Sequence, residues 1–177
     1  TGATIVTMPR FDLEQFLQLL QDYRVTTAFI VPPIILALAK HPIVDNYDLS
    51  ALIQIGSGAA PLPETVARDC AERLNCVVRQ GYGLTETSPV THDGPNQRRG
   101  QCPHASIGPG LPNTETQIID VDSGAALGPG ERGEVWIRGP QVMLGYLNRP
   151  DATAETTDED GRSEEHTSEL PSPGNPV

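Results

Sequence analysis

The stretch "ALIQIGSGAAPLPETVARDCAERLNCVVRQ", residues 51–80, decides how the chain must fold. Its opening "ALIQI" is an apolar strand that runs straight into the glycines of "GSGAAPL". Next, "LPETVARDCAERL" places Val66, Cys70 and Leu74 on one helical face, and Pro63 suits the first turn of that helix. "CVVRQ" then reads as a second strand. Strand, helix and strand in close succession, with apolar residues that do not alternate, imply parallel pairing beneath a helical cover.

The same rhythm extends upstream. "FDLEQFLQLLQDY" sets Phe16, Leu17, Leu20 and Tyr23 at helical spacing, with Asp12 as a cap and Gln15 three residues on to complete a capping box. "VTTAFIV" is a β-branched strand stopped by Pro32 and Pro33, and "IILALAKH" is a short apolar helix stopped at Pro42. The order is therefore helix and strand, three times over. After about residue 105 the pattern shifts. "TQIIDV" and "GEVWIRG" are short strands separated by turn-rich segments such as "DSGAALGPGERG", which implies an antiparallel or barrel-like unit. From Asp151 the apolar periodicity is lost, and the end of the chain cannot bury enough surface to offset its ordering entropy.

Bulk properties exclude several function classes. The 177 residues carry a net charge of −11, but residues 1–150 hold 15 acids against 11 bases, whereas residues 151–177 hold 8 acids against Arg162 alone. The acidity belongs to the tail, and with no basic stripe the chain is not read as a nucleic-acid binder. Cys70, Cys76 and Cys102 show neither disulfide nor metal spacing. No apolar run is long enough to span a bilayer and no signal peptide is visible, which fits a reducing, cytoplasmic setting. His41, His92, His104 and His166 each stand alone in sequence and read as solvated or incidental imidazoles, while Met8 and Met143 read as gap-fillers.

Two loops leave strands with a composition of their own: "GSGAAPL" after "ALIQI", and "GYGLTETSP" after "CVVRQ". Ligands of open parallel sheets collect beyond the carboxyl ends of the strands. Gly56, Gly58, Ala59 and Ala60 are small enough to let a flat ring approach the backbone, and Tyr82 can stack on such a ring. Thr85 offers a hydroxyl to a phosphate, and a magnesium ion reconciles that phosphate with the adjacent carboxylate of Glu86. Taken singly, each loop also reads as an ordinary glycine turn, a packed tyrosine ring and a solvated glutamate. Nucleotide plus magnesium accounts for all four residue types together.

Over residues 9–161 the chain resembles the AMP-forming acyl-CoA synthetase and ligase family, and looks closest to its 4-coumarate–CoA ligases. The matching stretches are "VTTAFIVPPIILALAKHPIVDNYDLS", "GSGAAPLPETV", "QGYGLTETSPV" and "GPGERGEVWIRGPQVMLGYLNRPDATAET". The resemblance implies an α/β fold: part of the large N-terminal domain of an adenylate-forming enzyme, a mostly parallel sheet with helices followed by short β-barrel-like strands. It divides the chain into an α/β part over residues 1–105, a β-rich part of the same domain over 106–161 and a non-family, disordered tail over 162–177. The implied activity joins a carboxylic acid to ATP, giving an acyl-adenylate and pyrophosphate, and then passes the acyl group to coenzyme A. Thr85 would contact the α-phosphate and Glu86 would help hold Mg2+. Gly58, Ala59, Ala60, Gln80, Gly81, Tyr82 and Gly83 would frame the adenine of ATP or AMP, and Pro89 and Val90 would touch the acyl chain. Gly145 and Tyr146 are read as structural.

The chain also departs from that family. It has no Ser/Thr/Gly-rich phosphate loop ending in Gly and Lys, and its one lysine is Lys40 at a helix end. After "DEDG" the family continues toward His-Thr-Gly-Asp, whereas this chain reads "RSEEHTSELPSPGNPV". The chain is thus expected to be an internal piece of a ligase, inactive alone, with residues 162–177 a translated read-through. Two alternatives stay open: a non-catalytic nucleotide-binding module, and the adenylation domain of a peptide synthetase.

Overall fold

The computed structural model describes residues 2–94, 103–157 and 163–164. Two compact units divide the chain: residues 1–80 with 96–105, and residues 81–95 with 106–177.

The first unit begins with helix α1, Leu13–Asp22. The Asp12 side chain accepts a hydrogen bond from the Gln15 backbone N–H at 2.9 Å, so the cap half of the expected box forms. Leu17 and Leu20 face the core, but Tyr23 lies past the last turn and is exposed. Strand β1, Thr27–Ile30, leads directly into helix α2, Pro32–Lys40. Pro32 and Pro33 therefore do more than end the strand. They occupy the first helical positions, where a missing N–H costs nothing and the fixed φ suits the helix.

Strand β2, Gln54–Ser57, helix α3, Glu64–Leu74, and strand β3, Val77–Gly83, complete the strand–helix–strand pattern. β2 pairs in parallel with β1, Thr27 opposite Gln54, and with the first half of β3, Gln54 opposite Val77. The expected parallel sheet is present, with β2 in its centre. On α3 the deeply buried residues are Ala67, Cys70 and Ala71, whereas Val66 and Leu74 are only partly covered. Small side chains at the centre of the contact let this helix lie close to its neighbours, which pushes the larger pair to the edges. Asn75 ends the helix in the left-handed conformation at φ 53°. The core gathers Leu17, Ile35, Leu38, Ile55, Cys70 and Val78. Burial pushes the Cys70 thiol up to about 12, so it is an inert packing group.

In the second unit the remainder of β3 pairs antiparallel with β4, Val90–Asp93. Gly81 lies opposite Asp93, Tyr82 opposite His92 and Gly83 opposite Val90, with an irregularity between Tyr82 and Gly83. The Gly-Tyr-Gly segment is therefore strand and not the strand-ending turn that its glycines suggest. Strands β5, Glu115–Ile119, β6, Glu134–Arg138, and β7, Ser163–Glu164, form a three-stranded antiparallel sheet in that order. Ile119, Val135 and Ile137 are its buried residues. The short strands form as expected, but among the described residues the sheet stays open and closes no barrel. Helix α4, Pro150–Thr156, falls where the apolar periodicity fades, and it buries no residue. Of the expected tail over 162–177, only the backbone of Ser163–Glu164 is described, paired with β6; the rest, His166 included, lies outside the described residues, as does Cys102. No helix among the described residues is long and apolar enough to cross a membrane.

Candidate functional site

In the first unit, the loop after β2 is held by Gln80. This side chain is buried, and its Oε1 accepts from the Leu62 N–H at 3.0 Å while its Nε2 donates to the Leu62 carbonyl at 3.1 Å. The same amide also donates to the His104 carbonyl at 2.6 Å. Gln80 is thus a clamp for the backbone of this loop. Gly56 is small for another reason than a ligand: a Cβ there would lie 2.7 Å from the ring of Phe29, which already covers it. At Gly58 an added Cβ would meet nothing within 4 Å. Ala59 and Ala60 are exposed, and Ala59 is held at φ 68°, a left-handed conformation that costs a non-glycine residue about 1 kcal/mol.

In the second unit, the chain turns back between β3 and β4 through a short 3₁₀ turn, Thr85–Thr87. Gly83 makes the reversal possible, because a Cβ there would lie 1.8 Å from the Pro89 carbonyl oxygen. Thr87, fully buried, ties the turn together. Its hydroxyl accepts from the Leu84 N–H at 3.0 Å and shares its proton between the Leu84 carbonyl at 3.0 Å and the Pro89 carbonyl at 2.7 Å. The left-handed Ser88, φ 57°, completes the turn. Thr85, Pro89 and Val90 are left exposed and Glu86 half-buried. Thr87→Val should lower unfolding stability by about 1–3 kcal/mol, since it leaves buried backbone groups without their partner. A urea midpoint equal to wild type would show that the turn does not depend on this hydroxyl.

Glu86 is anchored twice. Its carbonyl accepts from the Met143 N–H at 2.7 Å, and its Oε1 accepts from the Tyr146 hydroxyl at 2.5 Å. That hydrogen bond to the carboxylate raises the Tyr146 pKa. The Tyr146 N–H in turn donates to the Thr153 hydroxyl at 2.9 Å, and that hydroxyl donates to the Arg149 carbonyl at 2.9 Å. Tyr146, read from sequence as structural, is therefore brought to the carboxylate across 60 positions of chain.

Tyr82 packs its half-buried ring against His92, with centroids 5.9 Å apart and planes at 58°. His92 is not the solvated imidazole expected. It is buried, and its Nδ1 and Nε2 meet the hydroxyls of Thr91 at 3.0 Å and Thr116 at 3.1 Å. Burial lowers its pKa and favours the neutral ring. His41 acts locally, its Nδ1 accepting from the Ile43 N–H at 3.2 Å.

Among the described residues no group of three or more His, Cys, Asp or Glu side chains could hold a metal ion, so a cation held by fewer protein ligands would draw the rest of its shell from phosphate and water oxygens. Glu86 fits that arrangement. Its hard oxygen donors suit magnesium, which takes one or two carboxylates and fills its shell with phosphate oxygens and water. The sequence puts Thr85 and Glu86 forward as candidates but not Thr87, Tyr146 or His92. For Thr87 the repeated threonine in "TET" is an available signal; no local spacing points to the Glu86 partner of Tyr146 or the Thr116 partner of His92.

The family model described as "AMP-binding enzyme" matches residues 1–147. The protein named "Probable 4-coumarate--CoA ligase 3" of Dictyostelium discoideum is 46% identical over 162 residues, which cover 90% of this chain and 29% of that protein. A luciferin 4-monooxygenase of Nipponoluciola cruciata is 43% identical over 164 residues, again 90% of this chain and 29% of its own. Among solved structures, the long-chain-fatty-acid-CoA ligase of Archaeoglobus fulgidus superposes with a TM-score of 0.74 at 28% identity, covering 87% of this chain and 33% of that one. The chain thus spans about 29% of the length of the curated relatives it matches.

Proposed function

Because the chain belongs to the AMP-binding enzyme family, we propose that it is part of an adenylate-forming acid–thiol ligase. In this reading ATP activates a carboxylic acid and coenzyme A receives the acyl group. An aryl acid of the coumarate type is the proposed substrate, supported by the 46% identity to a protein named as a 4-coumarate–CoA ligase. The observation that carries the proposal is the double anchoring of Glu86 beside the exposed Thr85 hydroxyl.

The residues divide the work. Thr85 donates to the α-phosphate, and Glu86 supplies the carboxylate for a magnesium ion. When bound, that ion offsets the charge that builds as the acid attacks phosphorus. Thr87 and Gly83 fix the turn, so the two groups need little reorganisation as charge develops, which is the condition under which such stabilisation is largest. Gly58, Ala59, Ala60, Gly81, Tyr82 and Gly83 are assigned to the adenine, with Gln80 acting through the loop it clamps. Pro89 and Val90, both exposed, are assigned to the acyl group.

A non-catalytic nucleotide-binding module is the second reading, favoured by the state of Lys40. This only lysine of the chain is engaged by Asp69 on helix α3, where it serves an ion pair. Binding of ATP and of a non-hydrolysable coumaroyl-adenylate analogue to the 177-residue chain, with and without Mg2+, tests the proposal alongside pyrophosphate exchange. Magnesium-dependent binding without exchange is the expected result. Exchange would extend the assignment to catalysis by the chain alone, and absence of any magnesium-dependent binding would refute it.

A further inference from the structure

We propose that Tyr146 is a positioning residue, holding the Glu86 carboxylate in the orientation that receives the divalent cation; this rests on the assignment of Glu86 as a metal ligand. A glutamate on a surface turn has several side-chain rotamers, and fixing them when a metal arrives lowers affinity. Here that freedom is already removed. The Met143 N–H fixes the Glu86 backbone, and the Tyr146 hydroxyl fixes one carboxylate oxygen, Oε1, from a ring with only two rotatable bonds. Among the described residues that contact is made through Oε1, and the second oxygen is the one assigned to the cation.

Tyr146 is itself set in place. Gly145 adopts φ 142°, and a Cβ there would lie 2.8 Å from the Thr153 side chain. The absence of that Cβ leaves room for the Thr153 hydroxyl to accept from the Tyr146 N–H while donating to the Arg149 carbonyl. The ring is not needed as filler, since Tyr146 is 38% exposed. Its hydroxyl contact is the specific feature. "GYLNRPDAT", residues 145–153, thus forms a small bracket whose output is one hydrogen bond to Glu86.

Partners of metal ligands typically contribute 10–100-fold to affinity. Mn2+, in place of Mg2+, would be titrated into the 177-residue chain with ATP, read by water-proton relaxation, which separates protein-bound from nucleotide-bound metal. Tyr146→Phe should weaken Mn2+ by about 10-fold with an unchanged melting temperature. Glu86→Gln should weaken it more, and the double variant no more than Glu86→Gln alone, because the hydroxyl acts only through the carboxylate. Thr153→Ser, which keeps the hydroxyl, should match wild type, whereas Thr153→Val should fall between wild type and Tyr146→Phe. Loss of affinity in Glu86→Gln with wild-type affinity in Tyr146→Phe would overturn the positioning role alone. Wild-type affinity in Glu86→Gln, or no protein-bound Mn2+ in the wild type, would overturn the metal assignment and the inference with it.

Discussion

Glu86→Gln should lower magnesium-dependent pyrophosphate exchange by about two to three decades in a full-length ligase that carries this segment. Glutamine keeps the size of the side chain and can still accept from the Tyr146 hydroxyl, and the Met143 N–H bonds backbone, so the turn should survive. What is lost is one negative charge beside Thr85. The substitution therefore separates charge from shape. Far-UV circular dichroism should be unchanged while the magnesium concentration needed for half-maximal exchange rises. Exchange at the wild-type rate and magnesium dependence would remove Glu86 from the proposed chemistry.

Gly83→Ala should produce the largest loss of stability of any single methyl addition in the site. An alanine Cβ would lie 1.8 Å from the Pro89 carbonyl oxygen and 2.8 Å from the Val90 Cα. Both are backbone atoms, so relief requires the β3–β4 connection itself to move. Overpacking of this kind costs about 3 kcal/mol, which for a chain of this size is a fall of about 6–12 °C in melting temperature. The turn bearing Thr85 and Glu86 would shift with it. Gly58→Ala is the matched control, because its Cβ meets nothing within 4 Å and a substitution in open space changes stability by under about 0.5 kcal/mol. Equal melting temperatures for the two variants would show that the Gly83 contact is not a constraint.

Much of the first unit is legible from local pattern. Three apolar strands alternate with helices, and the Asp12 cap marks where α1 starts. The proline pair reads as a boundary, yet its role in opening α2 follows only from the helix that surrounds it. On α3 the helical period is correct and Cys70 is buried as expected, but spacing alone flanks it with the large residues Val66 and Leu74. Close packing instead buries the small ones, Ala67, Cys70 and Ala71. The Gly-Tyr-Gly segment misleads because glycine is the commonest sign of a turn. Whether glycines turn or pair depends on the strand that comes to lie beside them, here β4.

The candidate site divides along the same line. Residue types and spacings are enough for the family and for the parallel strand–helix pattern, and they single out the proposed Thr85–Glu86 pair. Neighbours along the chain settle these between themselves. Long-range packing is what lets Tyr146 donate to Glu86 across 60 positions. It also brings the Thr116 hydroxyl to His92, 24 positions away, and turns the Gln80 amide to the Leu62 backbone rather than to open space. These contacts join groups far apart in the chain or on opposing strands. Such a bond has no periodicity to announce it, because its donor and acceptor meet only after the packing of apolar faces has fixed where each backbone runs.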